Sequence, residues 1–270
     1  MKFSVLISIY HKEKADYFNR CMYSIWDEQT LKPNEIVLVE DGELNPKLYD
    51  AINKWKERLG EIFKVVPINK NVGLGEALNR GLKECSYSII ARMDTDDISM
   101  PDRFEKELEL FKKSNIDICG SWVSEFDNDE NSIISYRQVP KTDSEIKKFA
   151  KKRNPLNHPS VVYKKDSVIK AGGYKTMIGF EDYYLWVKMI LNNENFYNIQ
   201  EPLVKMRAGY KQLERRRGIK YIKAEIIFLN RIREEGFLNN YEFLKNLTLR
   251  LIVRIMPRDI LRLIYRLIRR

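Results

Sequence analysis

Four short apolar runs, each followed by a helix-like stretch, constrain this chain more than any other feature. Phe3–Ile9, Glu35–Glu40, Phe63–Ile68 and Ser88–Met93 read as strands, with helices over Asp16–Glu28, Pro46–Leu59 and Gly73–Cys85 between them. Apolar runs of this length bounded by turn residues suit buried strands. Their alternation with helices predicts a mainly parallel sheet covered on both faces, because parallel neighbours need crossover connections. In open sheets of this kind, ligands settle beyond the carboxyl ends of the strands. That rule singles out three loops: Tyr10–Lys14, Asp41–Glu43 and Asp94–Asp97.

Beyond residue 100 the alternation is less regular and suggests an α+β lobe. Pro101–Lys113 reads as a helix with proline at its start, where the missing N–H does no harm. Ile116–Phe126 and Ser132–Gln138 read as strands around a D-N-D-E-N turn, and 160–163 as a further strand. Phe180–Leu191 and Leu213–Glu235 read as helices, the second carrying the charge run Arg215-Arg216-Arg217.

The charge balance narrows the partners. Among 270 residues the formal net charge is +10. Such a balance favours an anionic partner: nucleic acid, a phosphate-bearing substrate or an acidic membrane face. Three cysteines, Cys21, Cys85 and Cys119, show no paired spacing. This argues against a disulfide framework or zinc ribbon and for a reducing, cytoplasmic setting. No run approaches the roughly 18 apolar residues of a membrane span. The apolar run at the N-terminus is too short for a secretory signal.

Asp94, Asp96 and Asp97 repel one another unless a cation joins them. A hard divalent metal, Mg²⁺ or Mn²⁺, takes such carboxylates together with phosphate oxygens. Asp94 and Asp96, two residues apart after a strand, are placed to share one ion on a nucleotide diphosphate, while Asp97 bonds the local backbone. The plain alternative is an acid-rich turn leading into the next helix. Asp41 can accept from a base N–H or a ribose hydroxyl, or can simply form an Asp-Gly turn. Glu181-Asp182 can supply a general base, or can favour a helix start electrostatically. His158 and Arg92 are candidates for contact with an acceptor or a diphosphate; packing and ion pairing are their plain alternatives.

In order along residues 1–210, SVLISIYHKE, VEDG, NVGLGEALNRGL, ARMDTDDISMPDRFEKE, NPLNHPSVVYKK, GGY and EDYYLW resemble the family-2 glycosyltransferases of bacterial capsular, exopolysaccharide or O-antigen assembly. The resemblance implies a GT-A fold: a Rossmann-like, mainly parallel sheet flanked by helices, with an α+β acceptor lobe and C-terminal helices. It divides the chain into a catalytic domain over 1–210 (a nucleotide-binding half, 1–100, and an acceptor half, 101–210) and a basic helical extension over 211–270. It implies inverting transfer of a hexose or N-acetylhexosamine from a nucleotide sugar, UDP preferred, to a glycan hydroxyl. The acceptor implied is polyprenyl-diphosphate-linked. Mn²⁺ or Mg²⁺ would be held by Asp96 with Asp94, which also serves the nucleotide. Ser8, Tyr10 and Glu13 would line the nucleotide pocket, and Asp41 would meet the base. Asp182 would be the catalytic base, with Glu181 its rival. Two departures stand out: His11 replaces the usual Asn after the tyrosine, and Glu40-Asp41 replaces paired aspartates.

An inverting transfer is one displacement, needing one base and neutralisation of the leaving group. A distant acid and a separate acid cluster match that division. The last thirty residues carry arginines at 250, 254, 258, 262, 266 and 270 among leucines and isoleucines. They predict two basic amphipathic helices split at Pro257, lying on the anionic inner face of the cell membrane. Packing on the catalytic domain or a dimer contact is the alternative. Two other functions fit the sequence less well. A nucleotidyltransferase would need a Gly-rich basic loop after the first strand, which Tyr10-His11-Lys12-Glu13 lacks. A nucleic-acid-binding protein would explain the charge but not acids at three strand ends, so no nucleic-acid partner is expected.

Overall fold

The computed structural model describes residues 1–208 and 218–255, with side chains to residue 252. Strands β1 (Ser4–Ile9), β2 (Glu35–Asp41), β3 (Phe63–Ile68) and β4 (Ile89–Arg92) alternate with helices α1 (Ala15–Ile25), α2 (Pro46–Leu59) and α3 (Leu74–Glu84). Each pairing among these strands is parallel, in the order β3-β2-β1-β4. The local reasons are plain. The Asn45 side chain accepts from Leu48 N–H at 3.1 Å, and Pro46 follows at the first helical position of α2, where its fixed φ suits a helix start.

The sheet then continues with strands of mixed direction. After β5 (Ile98–Ser99) and α4 (Arg103–Lys113) come β6 (Ile118–Phe126) and β7 (Ile133–Arg137), an antiparallel hairpin around residues 127–132. Helix α5 (Asp143–Ala150) opens with a reciprocal Thr142–Glu145 capping box. Strand β8 (Val162–Lys164) runs antiparallel between β4 and β6, and β9 (Phe196–Arg207) lies parallel to β6 and pairs with β5. One sheet of nine strands thus runs through both halves of residues 1–208. Helices α6 (Lys165–Lys170) and α7 (Glu181–Leu191) precede β9, while α8 (Ile219–Glu234) and α9 (Asn240–Ile255) follow it.

Strand alternation divides the core between two faces. Val5, Ile7, Ile36, Leu38, Ala91 and Met93 pack with α1, α2 and α4. Leu6, Val37, Val39, Ile90 and Tyr163 pack with α3, α6 and α7. Gly81 lets α3 sit close on the second face: a Cβ there would lie 2.5 Å from both Leu6 Cδ1 and Val39 Cγ2. A third cluster joins the outer side of α7 to α8 and α9 through Phe180, Tyr184, Phe228 and Leu238.

The sequence reading omits α5, α6, β5 and β9. Strand β9 carries Glu201, Pro202 and Lys205 and shifts register against β6 around Trp122, so its alternation is broken. The helix expected over 213–235 is described from Ile219, and Arg215–Arg217 lie outside the described residues. Residues 240–255 form one helix, where the first of the two expected tail helices lies, and its Phe243 and Leu247 pack on the third cluster; Pro257 and the second expected helix lie outside the described residues.

Candidate active site

The parallel strands place their following loops along one edge. Ile9 of β1 pairs with Glu40 of β2, and Leu6 of β1 with Arg92 of β4. Ser8, Tyr10, Asp41 and Asp94 therefore gather at the carboxyl ends of neighbouring strands. Tyr10 is exposed there and stands edge-on to His11. Glu13 joins the aspartate loop directly, because the Thr95 hydroxyl donates to its carboxylate at 3.1 Å. Burial and the neighbouring Asp94 raise the Glu13 carboxyl, against the hydrogen bonds it accepts.

The aspartate loop is braced from four directions. Arg92 pairs with the Asp94 carboxylate. The Cys21 thiol of α1 donates to the Asp94 carbonyl at 3.2 Å. Arg103 of α4, fully buried, donates to the Arg92 carbonyl at 2.8 Å and to Glu107 at 3.0 Å. Arg207 at the end of β9 donates its backbone N–H to Asp97 Oδ1 at 2.8 Å and its Nε to the Asp96 carbonyl at 3.2 Å. Its guanidinium lies over the rings of Tyr17, 3.8 Å from the centroid, and Phe126, at 4.5 Å. The Asp97 side chain is thus held by a distant strand, where the sequence suggested the local backbone; the Asp97 N–H alone bonds locally, to the Asp94 carbonyl at 3.3 Å.

Charge is crowded in this loop. Burial first, then Asp94 and Glu13, push the Asp96 carboxyl up to about 7. Burial, Asp96 and Asp94 push Asp97 well above the usual carboxylate range, and its Oδ2 is buried without a partner. Such a site favours an added cation. Asp94 and Asp96 are hard oxygen donors and fit Mg²⁺ or Mn²⁺. Among the described residues no group of three or more His, Cys, Asp or Glu side chains forms a ready-made metal cage. Two carboxylates leave the remaining positions to water and phosphate oxygens, as Mg²⁺ sites often do.

Asp41 is engaged within the protein. Its carboxylate accepts from Val72 N–H at 2.7 Å, Gly73 N–H at 3.1 Å and Asn71 Nδ2 at 3.0 Å. It therefore fixes the loop that leads into α3. Gly42 allows this approach: its φ is +87°, and a Cβ there would lie 2.7 Å from Asn71 N. The adjacent Glu40 is half-buried, and burial raises its carboxyl. Sequence reasoning passed over it in favour of Asp41.

Across the sheet end, Asp182 sits in the first turn of α7. Asn154 Nδ2 donates to its Oδ2 at 2.7 Å. Burial raises this carboxyl, while Asn154, the Tyr183 N–H, Arg92 and Arg137 act to lower it. Glu181 turns toward α3: a Cβ at Gly75 would lie 3.4 Å from Glu181 Cγ. His158 Nε2 lies 3.0 Å from the Tyr174 hydroxyl, and its ring meets Trp186 edge-on. Burial and Arg92 hold His158 well below its usual range, so the ring is neutral at physiological pH. Arg92 is the common member. It pairs with Asp94 and acts electrostatically on Asp182 and His158. Its Nε and Nη1 are buried without partners. The structure thus gathers Glu13 and the three aspartates into one loop cluster, leaves Asp41 on residues 71–73, and places Asp182 apart on Asn154.

Residues 4–172 match the model of Glycosyl transferase family 2. The chain is 37% identical over 267 residues to the amylovoran biosynthesis glycosyltransferase AmsE of Erwinia amylovora, covering 97% of each. It is 36% identical over 266 residues to an Escherichia coli protein named UDP-Gal:alpha-D-GlcNAc-diphosphoundecaprenol beta-1,3-galactosyltransferase, covering 98% of this chain and 95% of that one. Its fold resembles that of S. aureus TarS 1-349 in complex with UDP-GlcNAc, with a TM-score of 0.65, 16% identity, and 85% of this chain and 66% of that one covered. It also resembles mannosyltransferase PcManGT from Pyrobaculum calidifontis in complex with GDP-Man and Mn²⁺, with a TM-score of 0.66, 14% identity, and 93% and 69% covered.

Proposed function

The chain belongs to glycosyl transferase family 2, and from that premise we propose that it moves a hexose or N-acetylhexosamine from a UDP-sugar to a hydroxyl of a lipid-linked glycan, with inversion, in bacterial surface polysaccharide synthesis. The observation that carries this reading is a braced acid loop together with a separate, half-buried carboxylate at the start of α7 that accepts from Asn154 at 2.7 Å. The curated E. coli relative, named for UDP-Gal and a diphosphoundecaprenol acceptor, and the UDP-GlcNAc complex of TarS support the donor and acceptor classes.

In this reading Asp96 and Asp94 would hold Mg²⁺ or Mn²⁺, which would supply charge neutralisation for the leaving diphosphate. The protein's own groups do the rest. Ser8, Tyr10 and Glu13 line the nucleotide pocket, and Asp41 shapes its floor by fixing residues 71–73. Glu40, at the same strand end, is the carboxylate left to meet a base N–H. Asp182 accepts the proton of the acceptor hydroxyl as that oxygen bonds to the anomeric carbon and the bond to the diphosphate breaks. Glu181, turned toward α3, is placed on the donor side and is the weaker candidate for the base. His158, being neutral, donates or accepts a hydrogen bond without adding charge.

Helix α9 supports a membrane-surface role at the inner face of the cell membrane. Tyr241, Leu244, Leu249 and Ile252 are exposed on it, opposite the face that packs on the protein. The arginine-rich segment follows directly in sequence. No helix among the described residues is long and apolar enough to cross a membrane.

The first test is calorimetric titration of UDP with Mn²⁺ and with chelator, on wild type and Asp96→Ala. Metal-dependent binding that the substitution abolishes is the expected result, followed by transfer assays with UDP-hexoses. Wild-type protein that binds no UDP in either condition sinks the donor assignment and directs the titration to GDP and dTDP.

A further inference from the structure

The segment between α5 and β8 is a loop made unusually rigid by buried hydrogen bonds. Asn157, 1% exposed, donates to the Ser121 carbonyl of β6 at 2.9 Å and the Arg137 carbonyl of β7 at 3.1 Å. Asn198 of β9 donates to the Pro155 carbonyl at 3.1 Å and the Pro140 carbonyl at 2.6 Å. Ser160 accepts from Ser121 N–H at 3.0 Å. Gly120 makes the room: a Cβ there would lie 2.7 Å from Asn198 Oδ1 and 3.0 Å from Leu156 Cδ2. Pro155 restricts the residue before it to extended backbone. Three strands therefore hold the loop, and Asn154 stands at its start with its amide on Asp182.

We infer that Asn154 is a positioning residue for Asp182, and that the buried loop 154–160 serves to present that one amide. The inference rests on the reading of Asp182 as the base. A carboxylate only accepts, so the NH₂ end of Asn154 must face Asp182. The Asn154 Oδ1 meets the Leu156 N–H at 3.4 Å, which favours the same orientation. An amide is suited to the task. It orients the carboxylate and favours its ionised form, yet it never competes for the proton as a second acid or a histidine would. The other groups acting on Asp182 are Glu181 and Tyr183 on its own helix, Arg92 from β4, Arg137 from β7 and Tyr174 after α6. Asn154 is the side chain among them that donates a hydrogen bond directly to the carboxylate.

The test is the pH profile of kcat for wild type, Asn154→Asp, Asn154→Ala and Asp182→Asn, with UDP affinity measured alongside. Asn154→Asp keeps the shape of the side chain and replaces a donor with an acid. It should lower kcat at neutral pH about 10- to 100-fold. It should move the acid limb up by about one unit or more, because the ionised base loses its donor and gains a like charge. Asn154→Ala should move the limb in the same direction but less, and UDP affinity should stay at the wild-type value in both. An Asn154→Asp profile that overlays wild type, with Asp182→Asn inactive, overturns the positioning role and leaves the base in place. Wild-type turnover in Asp182→Asn overturns the base assignment itself, and this inference with it.

Discussion

The loop bearing Asp94, Asp96 and Asp97 and the helix start bearing Asp182 hold their carboxylates by opposite means. In the first, like charges are packed together: burial, then Asp94 and Glu13, raise Asp96, and burial, then Asp96 and Asp94, raise Asp97. The loop keeps its shape because cations and a thiol reach it from α1, α4, β4 and β9. In the second, a single carboxylate meets one neutral amide at 2.7 Å. Crowded acids suit a site completed by a cation, since a divalent ion relieves the repulsion on binding. An acid whose hydrogen-bonding side chain is neutral suits a group that must take up a proton and release it. Electrostatic design therefore follows the chemistry assigned to each side.

The comparison is broken most severely by Asp182→Asn. We expect kcat to fall about 10²- to 10⁴-fold while UDP binding with Mn²⁺ is retained; lost UDP binding would show that the two sides are not separable. Asp96→Asn should do the reverse. Its UDP affinity in Mn²⁺ should drop to the level measured in chelator, about 10- to 100-fold lower, by the same calorimetry. Arg207→Ala removes the side-chain brace while the backbone bond to Asp97 remains. The Mn²⁺ concentration for half-maximal activity should rise about tenfold with little change in kcat at saturating metal; an unchanged metal dependence would remove Arg207 from the donor side.

The smallest effect concerns stability. Burial outweighs Arg103 and puts the Glu107 carboxyl at about 7, against 4.5 for the free group. In that window the folded protein keeps a proton which the unfolded chain releases. Stability from this group therefore falls as pH rises from about 4.5 to about 7. Glu107→Gln should flatten that part of the Tm–pH curve, read by calorimetry in chelator so that bound metal does not mask it.

The two sides also differed in how far the sequence disclosed them. The strand-end acids were legible because strand, turn and acids lie within a few residues of each other. So was the parallel direction of β1–β4, but not their order across the sheet or the register that aligns their ends. Arg103, Arg207, Asn157 and Asn198 were not, because each acts on residues that come near only through the sheet. Arg207 meets Asp97 across 110 positions. Asn154 lay inside a quoted motif, yet nothing local linked it to a helix 28 residues onward. The engagement of Asp41 was hidden for a related reason. Its carboxylate was visible, but the N–H groups that occupy it come from a loop some thirty residues later. Position at a strand end shows where an acid is, and only the fold shows whether it is already engaged.

The pairing of β9 with β5 has a consequence for how the protein is made. Ile98 and Ser99 pair with Lys205 and Val204, immediately beside Arg207 and its bond to Asp97. On the ribosome, β1 through β4 and their helices emerge first and can dock early. The acid loop leaves the exit tunnel with them but must wait for more than a hundred further residues before its last partner arrives. Until then three charged carboxylates stand in the loop just past β4, beside the edge that β8 has yet to cover. That charge makes the nascent edge a poor template for strand pairing with another chain, so the residues assigned to hold the cation in the finished enzyme also protect the unfinished one.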